Sequence, residues 1–393
     1  MDINHRANLV SQISNIDWDF FEEKGSLYNF NIHWYPARLI PQIAGSLISL
    51  LSTQDDCVLD PFCGSGTTLL EANKYGRKLI GIDLNPIATL ICRATLTNYD
   101  SDSFDKFQNS IDSRISLYLN DEITNSDIFD HSTIPNFEEN SQWYHPKTLF
   151  ELSVIFKTIN EFKSDAFFWG ALSTFSSILH SVSSQDKHWG WVCDNVKPKQ
   201  QDFIYKDAIA KFKTKLKEYK QFLDSYNKEK KLFCESQYKQ DRIQIFEENC
   251  ISKMKILEND SIDLVVTSPP YFNMTDYILA QRLTFLWLPY DKDKIRISEI
   301  GARYKRARKS SLDDYLADMH DAFTQIARLL KPGKFCCIII GESHNHQSYL
   351  KHFEAICEQV GLKKFYQCQR KIPAKRSLFP VLQNETIYIT QKI

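Results

Sequence analysis

The stretch CVLDPFCGSGTTLLEANKYGRKLIGIDLNPIATLICRATL, residues 57–96, carries one pattern twice. Cys57–Leu59 is a short apolar run that ends at a turn rich in glycine, and a helical pattern starts near Thr67. Lys78–Ile82 is a second such run, followed by a turn and a helix starting near Pro86. Two strand–turn–helix units in succession predict a parallel, doubly wound α/β sheet. Gly64 and Gly66 let the first turn bend tightly and allow a ligand to approach the backbone with no Cβ in the way. Asp83, 17 residues after Gly66, falls at the end of the second strand. An acid there is placed to accept hydrogen bonds from ribose hydroxyls at the carboxyl edge of the sheet. It could equally serve as a cap for the next helix. Asp60 precedes Pro61 at the other strand end. It reads either as an attractor for a ligand ammonium group or as a turn residue bonded to its own backbone.

The turn has one glycine fewer than a full dinucleotide fingerprint, and no GxxxxGK[ST] phosphate cradle occurs. Upstream, HWYPARLIP (residues 33–41) leads into a helix expected to begin near Pro36 or Pro41. Downstream, residues 101–250 lose the strand–helix alternation. Helices are expected over Ile155–Phe168 and Phe203–Phe222, the latter with an apolar stripe of Ile209, Phe212, Leu216, Tyr219 and Leu223 and lysines opposite. Residues 101–240 read as a helical insertion into the sheet domain, between a first part, 1–100, and a second, 241–393. The sheet resumes with SIDLVVTSPPY. A basic loop and the helix LDDYLADMHDAFTQIARLLKPG follow, with Gly333 as the expected terminator. KFCCIIIGE is a buried strand, YLKHFEAICEQVG a helix and ETIYIT a last strand.

The composition bounds the class. The 393 residues are 43% hydrophobic and 25% charged with a net charge of −1, a globular balance with no overall pull on a polyanion. Neither a long apolar run nor a signal-peptide core is present, so a cytoplasmic protein is expected. Ten cysteines without a CxxC read as reduced thiols, several of them core residues such as Cys336 and Cys337, and support no metal site.

Four motifs in consistent order, HWYPARLIP, DPFCGSGTTLLEA, GIDLNP and TSPPY, resemble the DNA amino-methyltransferases, enzymes that move a methyl group from S-adenosylmethionine to cytosine N4 or adenine N6. The resemblance covers roughly residues 30–100 and 243–393. It implies a Rossmann-like methyltransferase sheet. It further implies that Asp60, Phe62, Gly64, Gly66 and Thr67 line the methionine half of the cofactor, that Asp83 takes the ribose, and that His33, Tyr35 and Pro36 close the pocket from the far side. Ser268, Pro269, Pro270 and Tyr271 would form the catalytic loop. Where the family has an acid that reads the cofactor's adenine, the segment FEENC offers Asn249, with Glu248 as a substitute. Serine before the prolines favours cytosine N4 over adenine N6. No Pro–Cys dipeptide supports carbon methylation, and Cys63 reads as packing.

Two basic segments leave the carboxyl side of the sheet. Arg296, Arg303, Lys305, Arg306, Arg308 and Lys309 form one; Arg370, Lys371, Lys375 and Arg376 form the other. They are candidate phosphate contacts on double-stranded DNA. The insertion is the candidate target-recognition region, although its Trp143, Tyr144, Trp169, Trp189 and Trp191 read more readily as core. The resemblance points to restriction–modification, with a possible cognate endonuclease. The alternatives are an RNA guanosine amino-methyltransferase and a catalytically inactive nucleic-acid-binding subunit.

Overall fold

The computed structural model describes residues 3–20, 32–36, 38–97, 101–120, 134–185, 197–234, 242–272, 276–302, 304–305, 310–343, 349–372 and 382–393. Its centre is a seven-stranded sheet of β1 (Cys57–Asp60), β2 (Lys78–Asp83), β3 (Ile243–Glu247), β4 (Ile262–Thr267), β5 (Leu330–Ser343), β6 (Leu362–Lys371) and β7 (Leu382–Lys392). The spatial order is β3-β2-β1-β4-β5-β7-β6. β1 to β5 are parallel, whereas β7 runs antiparallel between β5 and β6. Every residue of β4 is buried, as expected of a strand covered on both faces. The order reverses between β1 and β4, so the chain leaves these neighbours in opposite directions and opens a crevice at their carboxyl ends.

Helices Thr67–Lys74 and Pro86–Leu96 follow β1 and β2 directly. Asn85 caps the second, accepting from the Ile87 N–H at 2.9 Å, so the capping role open to Asp83 falls to its neighbour. The upstream helix begins at Pro41. Proline there gives up no helical hydrogen bond, because the first-turn N–H groups have no intrahelical partner.

Between Pro86–Leu96 and β3 the described chain is helical: Ser101–Leu119, Pro146–Glu161, Phe168–Val182 and Ala208–Phe233 are the main pieces. The expected helix over Ile155–Phe168 is instead the end of one helix and the start of the next, broken at residues 162–167. The helix expected from Phe203 starts at Ala208, where the Asp207 carboxylate accepts from the Ala210 N–H at 2.7 Å. Its stripe of Ile209, Phe212, Leu216, Tyr219 and Leu223 is buried. This segment shares one hydrophobic core with the sheet helices. Tyr226 donates to the Leu70 carbonyl at 2.9 Å, and Asn73 donates to the Tyr226 hydroxyl at 2.8 Å. Trp143 and Tyr144 are core residues, while Trp189 and Trp191 lie outside the described residues.

Three expectations fail at the sheet. β3 and β6 were not foreseen. Only partly buried, with mixed polar and apolar residues, they lack the continuous apolar runs that reveal central strands. Gly333 does not end the helix Ser311–Leu329; the chain passes straight into β5 at Leu330, and Gly333 takes φ +79° within that element. The nine cysteines among the described residues are free thiols. No described helix is long and apolar enough to cross a membrane.

Candidate active site at the sheet's switch point

The crevice is built by two loops that the sheet order makes neighbours. After β1 the chain turns through Pro61–Gly66, with Gly64 at φ +50° and Gly66 at φ +86°. At Gly66 a Cβ would also lie 2.7 Å from Cys92 Sγ. Gly64 donates its N–H to Asp83 Oδ2 at 2.8 Å, and Asp83 Oδ1 accepts from the Asn85 N–H at 2.8 Å. One carboxylate therefore ties the turns after β1 and β2 together. Asp60 accepts from the Phe62 N–H at 3.1 Å and from Thr267 Oγ1, the last residue of β4, at 2.7 Å. That bond joins the glycine turn to the loop after β4. Burial lifts both acids to about 6, against the pull of these hydrogen bonds. Both are thus ionised at neutral pH but close to their titration range.

A cleft enclosing about 730 Å³ of empty space, part of it open to solvent, lies here. Of the residues expected from sequence, Tyr35, Pro36, Phe62, Gly64, Asp83, Asn249, Ser268 and Pro270 line it. An adjoining hollow of about 350 Å³ is lined by Asp60, Thr67 and Arg38, and shares Tyr35, Phe62, Gly64 and Ser268 with the first. Tyr35 stacks on Tyr277 with ring centroids 6.1 Å apart. A Cβ on Gly64 would stand 3.4 Å from the Tyr35 ring, and both residues line both hollows. Asn249 caps the helix Cys250–Lys255, its Oδ1 accepting from the N–H groups of Ile251 and Ser252 at 3.0 and 3.1 Å. Glu248 is exposed.

Four expected residues, Gly66, Pro269, Tyr271 and His33, line neither hollow. Gly66 shapes the start of helix Thr67–Lys74. Pro269 is buried. His33 is buried too, and lines neither hollow. Its Nδ1–H donates to the Trp34 carbonyl at 2.7 Å; its Nε2 accepts from Ser176, which in turn lies 2.8 Å from Thr284 Oγ1. Burial depresses the imidazole to about 4. His33 is therefore a neutral strut between HWYPARLIP, helix Phe168–Val182 and helix Arg282–Trp287.

The loop after β4 is held from beneath. The Ser268 and Tyr271 hydroxyls lie 3.2 Å apart, and Ser268 also reaches the Ile339 carbonyl at 3.3 Å. Tyr271 donates to Glu385 Oε1 at 3.4 Å on β7, and Tyr315 donates to the Pro270 carbonyl at 3.0 Å. Burial and the Glu385 charge push the Tyr271 phenol up, so it stays protonated. Glu385 is itself paired with Arg370 on β6. Arg370 is 3% exposed and donates to the Trp18 carbonyl at 3.0 Å. The expected phosphate contact at Arg370 is thereby overturned: strand alternation turns this side chain inward, where it holds the carboxylate under Tyr271. Arg296 is paired with Asp276 at 2.7 Å, and Lys305 donates to the Glu299 carbonyl at 2.6 Å. Lys371 is exposed at the end of β6. Arg303, Arg306, Arg308, Lys309, Lys375 and Arg376 lie outside the described residues.

Sequence reasoning missed Tyr277, Glu299, Tyr315 and Glu385. They sit in segments without a motif and gain their place only from the packing around the crevice.

A mostly parallel sheet with an acid-floored cleft at its switch point, beside a proline-stiffened loop, defines a class of α/β enzymes that bind a nucleoside cofactor. The particular family follows from comparison with known proteins. The family model described as DNA methylase matches residues 10–91 and 262–392, more than half of the chain, and the chain belongs to that family. Type II methyltransferase M.MvaI of Kocuria varians is 25% identical over 279 residues, 68% of this chain and 59% of the relative. The chain thus spans under two thirds of that relative's length. Type II methyltransferase M.MjaII of Methanocaldococcus jannaschii is 20% identical, with 84% of this chain and 76% of the relative covered. Among solved structures, a TehB-like S-adenosylmethionine-dependent methyltransferase of Corynebacterium glutamicum is 10% identical, with both chains fully covered and a TM-score of 0.33.

Proposed function

We propose that this protein is a DNA amino-methyltransferase that uses S-adenosylmethionine and modifies cytosine N4 in a short duplex sequence. The observation that carries the reading is the position of Ser268. It lines both hollows, one floored by Asp60 and the other by Asp83. A cofactor and an amino group could therefore meet at this residue. The residues fit the cofactor: the buried Asp60 and partly buried Asp83 carboxylates suit an ammonium group and a ribose diol, Gly64 leaves backbone room, and Phe62 and Ile300 offer apolar walls to a flat ring.

When bound, S-adenosylmethionine supplies an electrophilic methyl group on a sulfonium. The chain's part is to orient and polarise the amine. An exocyclic amine on a base is a weak nucleophile because its lone pair is spread into the ring. Ser268 Oγ and the Pro269 carbonyl would accept from its N–H groups and favour the rehybridised, more basic nitrogen. Such acceptors work best when fixed in advance. The prolines hold φ near ~−65°, and Tyr315 holds the Pro270 carbonyl. Tyr271 would stack on a base extruded from the duplex, with its hydroxyl anchored to Glu385. Proximity supplies much of the remaining acceleration.

Serine before the prolines supports cytosine N4, since a hydroxyl can both donate and accept opposite cytosine N3; adenine N6 is the second reading. The names of the relatives support a restriction–modification setting, in which a cognate endonuclease would cut the unmethylated site. The segment 101–240 is assigned to target recognition, and the basic segments around Lys305 and Lys375 to phosphate contact.

Incubating the protein with labelled cofactor and duplex DNA or RNA, then digesting to nucleosides, tests the reading. Label in N4-methylcytosine of DNA is expected, and Ser268→Ala or Tyr271→Ala should cut turnover about a hundredfold or more while leaving cofactor affinity nearly intact. Label in RNA alone, or full rate in both variants, refutes it.

A further inference from the structure

Glu299 follows the short helix Lys292–Ser298 and belongs to no motif, yet it lines the larger hollow. It is 7% exposed. Its Oε1 accepts from the Tyr277 N–H at 2.9 Å. Its Oε2 is buried and has no hydrogen-bond partner among the described residues. A buried carboxylate oxygen without a donor is costly, and few folded proteins keep one without a use.

The surroundings indicate which part of a ligand it meets. Asp60, Thr67 and Arg38 line only the smaller hollow, whereas Asp83, Asn249 and Glu299 line only the larger. Asn249, where the family resemblance expects an acid, spends its amide oxygen on a helix cap. Asn249 therefore has its amide oxygen engaged, whereas Glu299, which lines the same hollow, keeps one carboxylate oxygen without a partner among the described residues. We propose that Glu299 is a cofactor-binding residue whose Oε2 accepts a hydrogen bond from the nucleoside half of S-adenosylmethionine, either a ribose hydroxyl or the adenine amino group. This deepens the function proposed above and rests on it.

Charge around the carboxyl supports the assignment. Burial lifts it to about 8, Asp276 and Asp83 add to the rise, and the Tyr277 N–H and Lys305 oppose it. Tyr35 also faces this side of the cleft, its phenol sensing both Asp83 and Glu299. Arg296 pairs with Asp276 rather than with Glu299. With a pKa near 8, only about a tenth of the carboxyl is ionised at pH 7. A ligand that needs the carboxylate acceptor loses that factor in affinity.

The probes are S-adenosylhomocysteine and 5′-methylthioadenosine, bound to the whole protein in a calorimeter. The second has no amino-acid group to titrate between pH 7 and 9. Glu299→Gln keeps the acceptor for Tyr277 and should fold normally, which thermal melting checks. Wild type should bind 5′-methylthioadenosine about tenfold tighter at pH 9 than at pH 7. Glu299→Gln should lose most of that gain and bind both probes about tenfold more weakly than wild type at pH 9. Unchanged affinity in the variant, a loss confined to S-adenosylhomocysteine, or a pH response retained by the variant would each overturn the proposal. The function proposed above fails separately, if wild type binds both probes and Glu299→Gln behaves as expected but no DNA is methylated.

Discussion

Replacing Glu385 by glutamine tests whether the ion pair beneath the loop after β4 holds it in place. Arg370 is 3% exposed at its side chain and Glu385 17%, so neither charge is well solvated. Neutralising Glu385 leaves the guanidinium with the Trp18 carbonyl as its remaining partner in this network. Removing one member of a buried pair costs about 3–5 kcal/mol, because the other stays buried and uncompensated. The Tyr271–Glu385 bond, at 3.4 Å, is long and adds no more than about 1 kcal/mol. Glu385→Gln should therefore destabilise the fold by about 3 kcal/mol or more, read as a lower midpoint in urea with an unchanged slope. Arg370→Met alone should cost somewhat less, since Glu385 keeps some contact with water. The double variant should cost less than the sum by about 2 kcal/mol, because no charge is left stranded. Activity should not recover with stability. Tyr271 has lost its charged acceptor in both Glu385→Gln proteins, and methyl transfer should stay down about tenfold, the kinetic equivalent of ~1.4 kcal/mol. A loss below 1 kcal/mol in Glu385→Gln, or strict additivity in the double variant, refutes the reasoning.

Other perturbations follow from the same geometry. Gly66→Ala places a Cβ 2.7 Å from Cys92 Sγ at φ +86°; the left-handed backbone costs about 1–2 kcal/mol and the overpacking about 1–3 kcal/mol, so circular dichroism should show a lower melting temperature, and cofactor titration a loss of binding. The Asp60 carboxyl, raised to about 6 by burial, takes up a proton as pH falls through 6. Affinity for the cationic cofactor should therefore weaken from pH 7 to 5, and Asp60→Asn should flatten that slope in a calorimetric titration. His33 is depressed to about 4 against about 6.5 in the unfolded chain. Between those values the unfolded state binds more protons, so this group's contribution to stability rises with pH. The stability difference between wild type and His33→Gln, measured by urea denaturation, should thus grow by up to about 3 kcal/mol from pH 4 to 6.5.

The sequence alone determined the central strands and the loops that follow them. Apolar runs at Cys57–Leu59, Leu79–Ile82 and Leu264–Val266 can be read because strands covered on both faces leave little polar alternation to blur them. The glycines and prolines that end these runs constrain the backbone locally, so their turns are legible without any knowledge of neighbours. Strands β3 and β6 escaped notice because exposed, mixed-polarity edges carry no such pattern.

Tertiary structure decided what each polar side chain does. Asp60 and Thr267 are 207 positions apart and meet at 2.7 Å because β4 lies beside β1 in the sheet. Arg370 looks in sequence like part of a basic run, yet strand pleat and the approach of Glu385 turn it inward as a counterion. His33, within a cofactor-like motif, became a strut once Ser176 was brought to its ring. Glu299 gained its place in the cleft from the packing of a segment with no signal of its own. A local pattern records the conformational preference of its own residues, whereas the partner of a buried charge is set by which strands the fold makes adjacent.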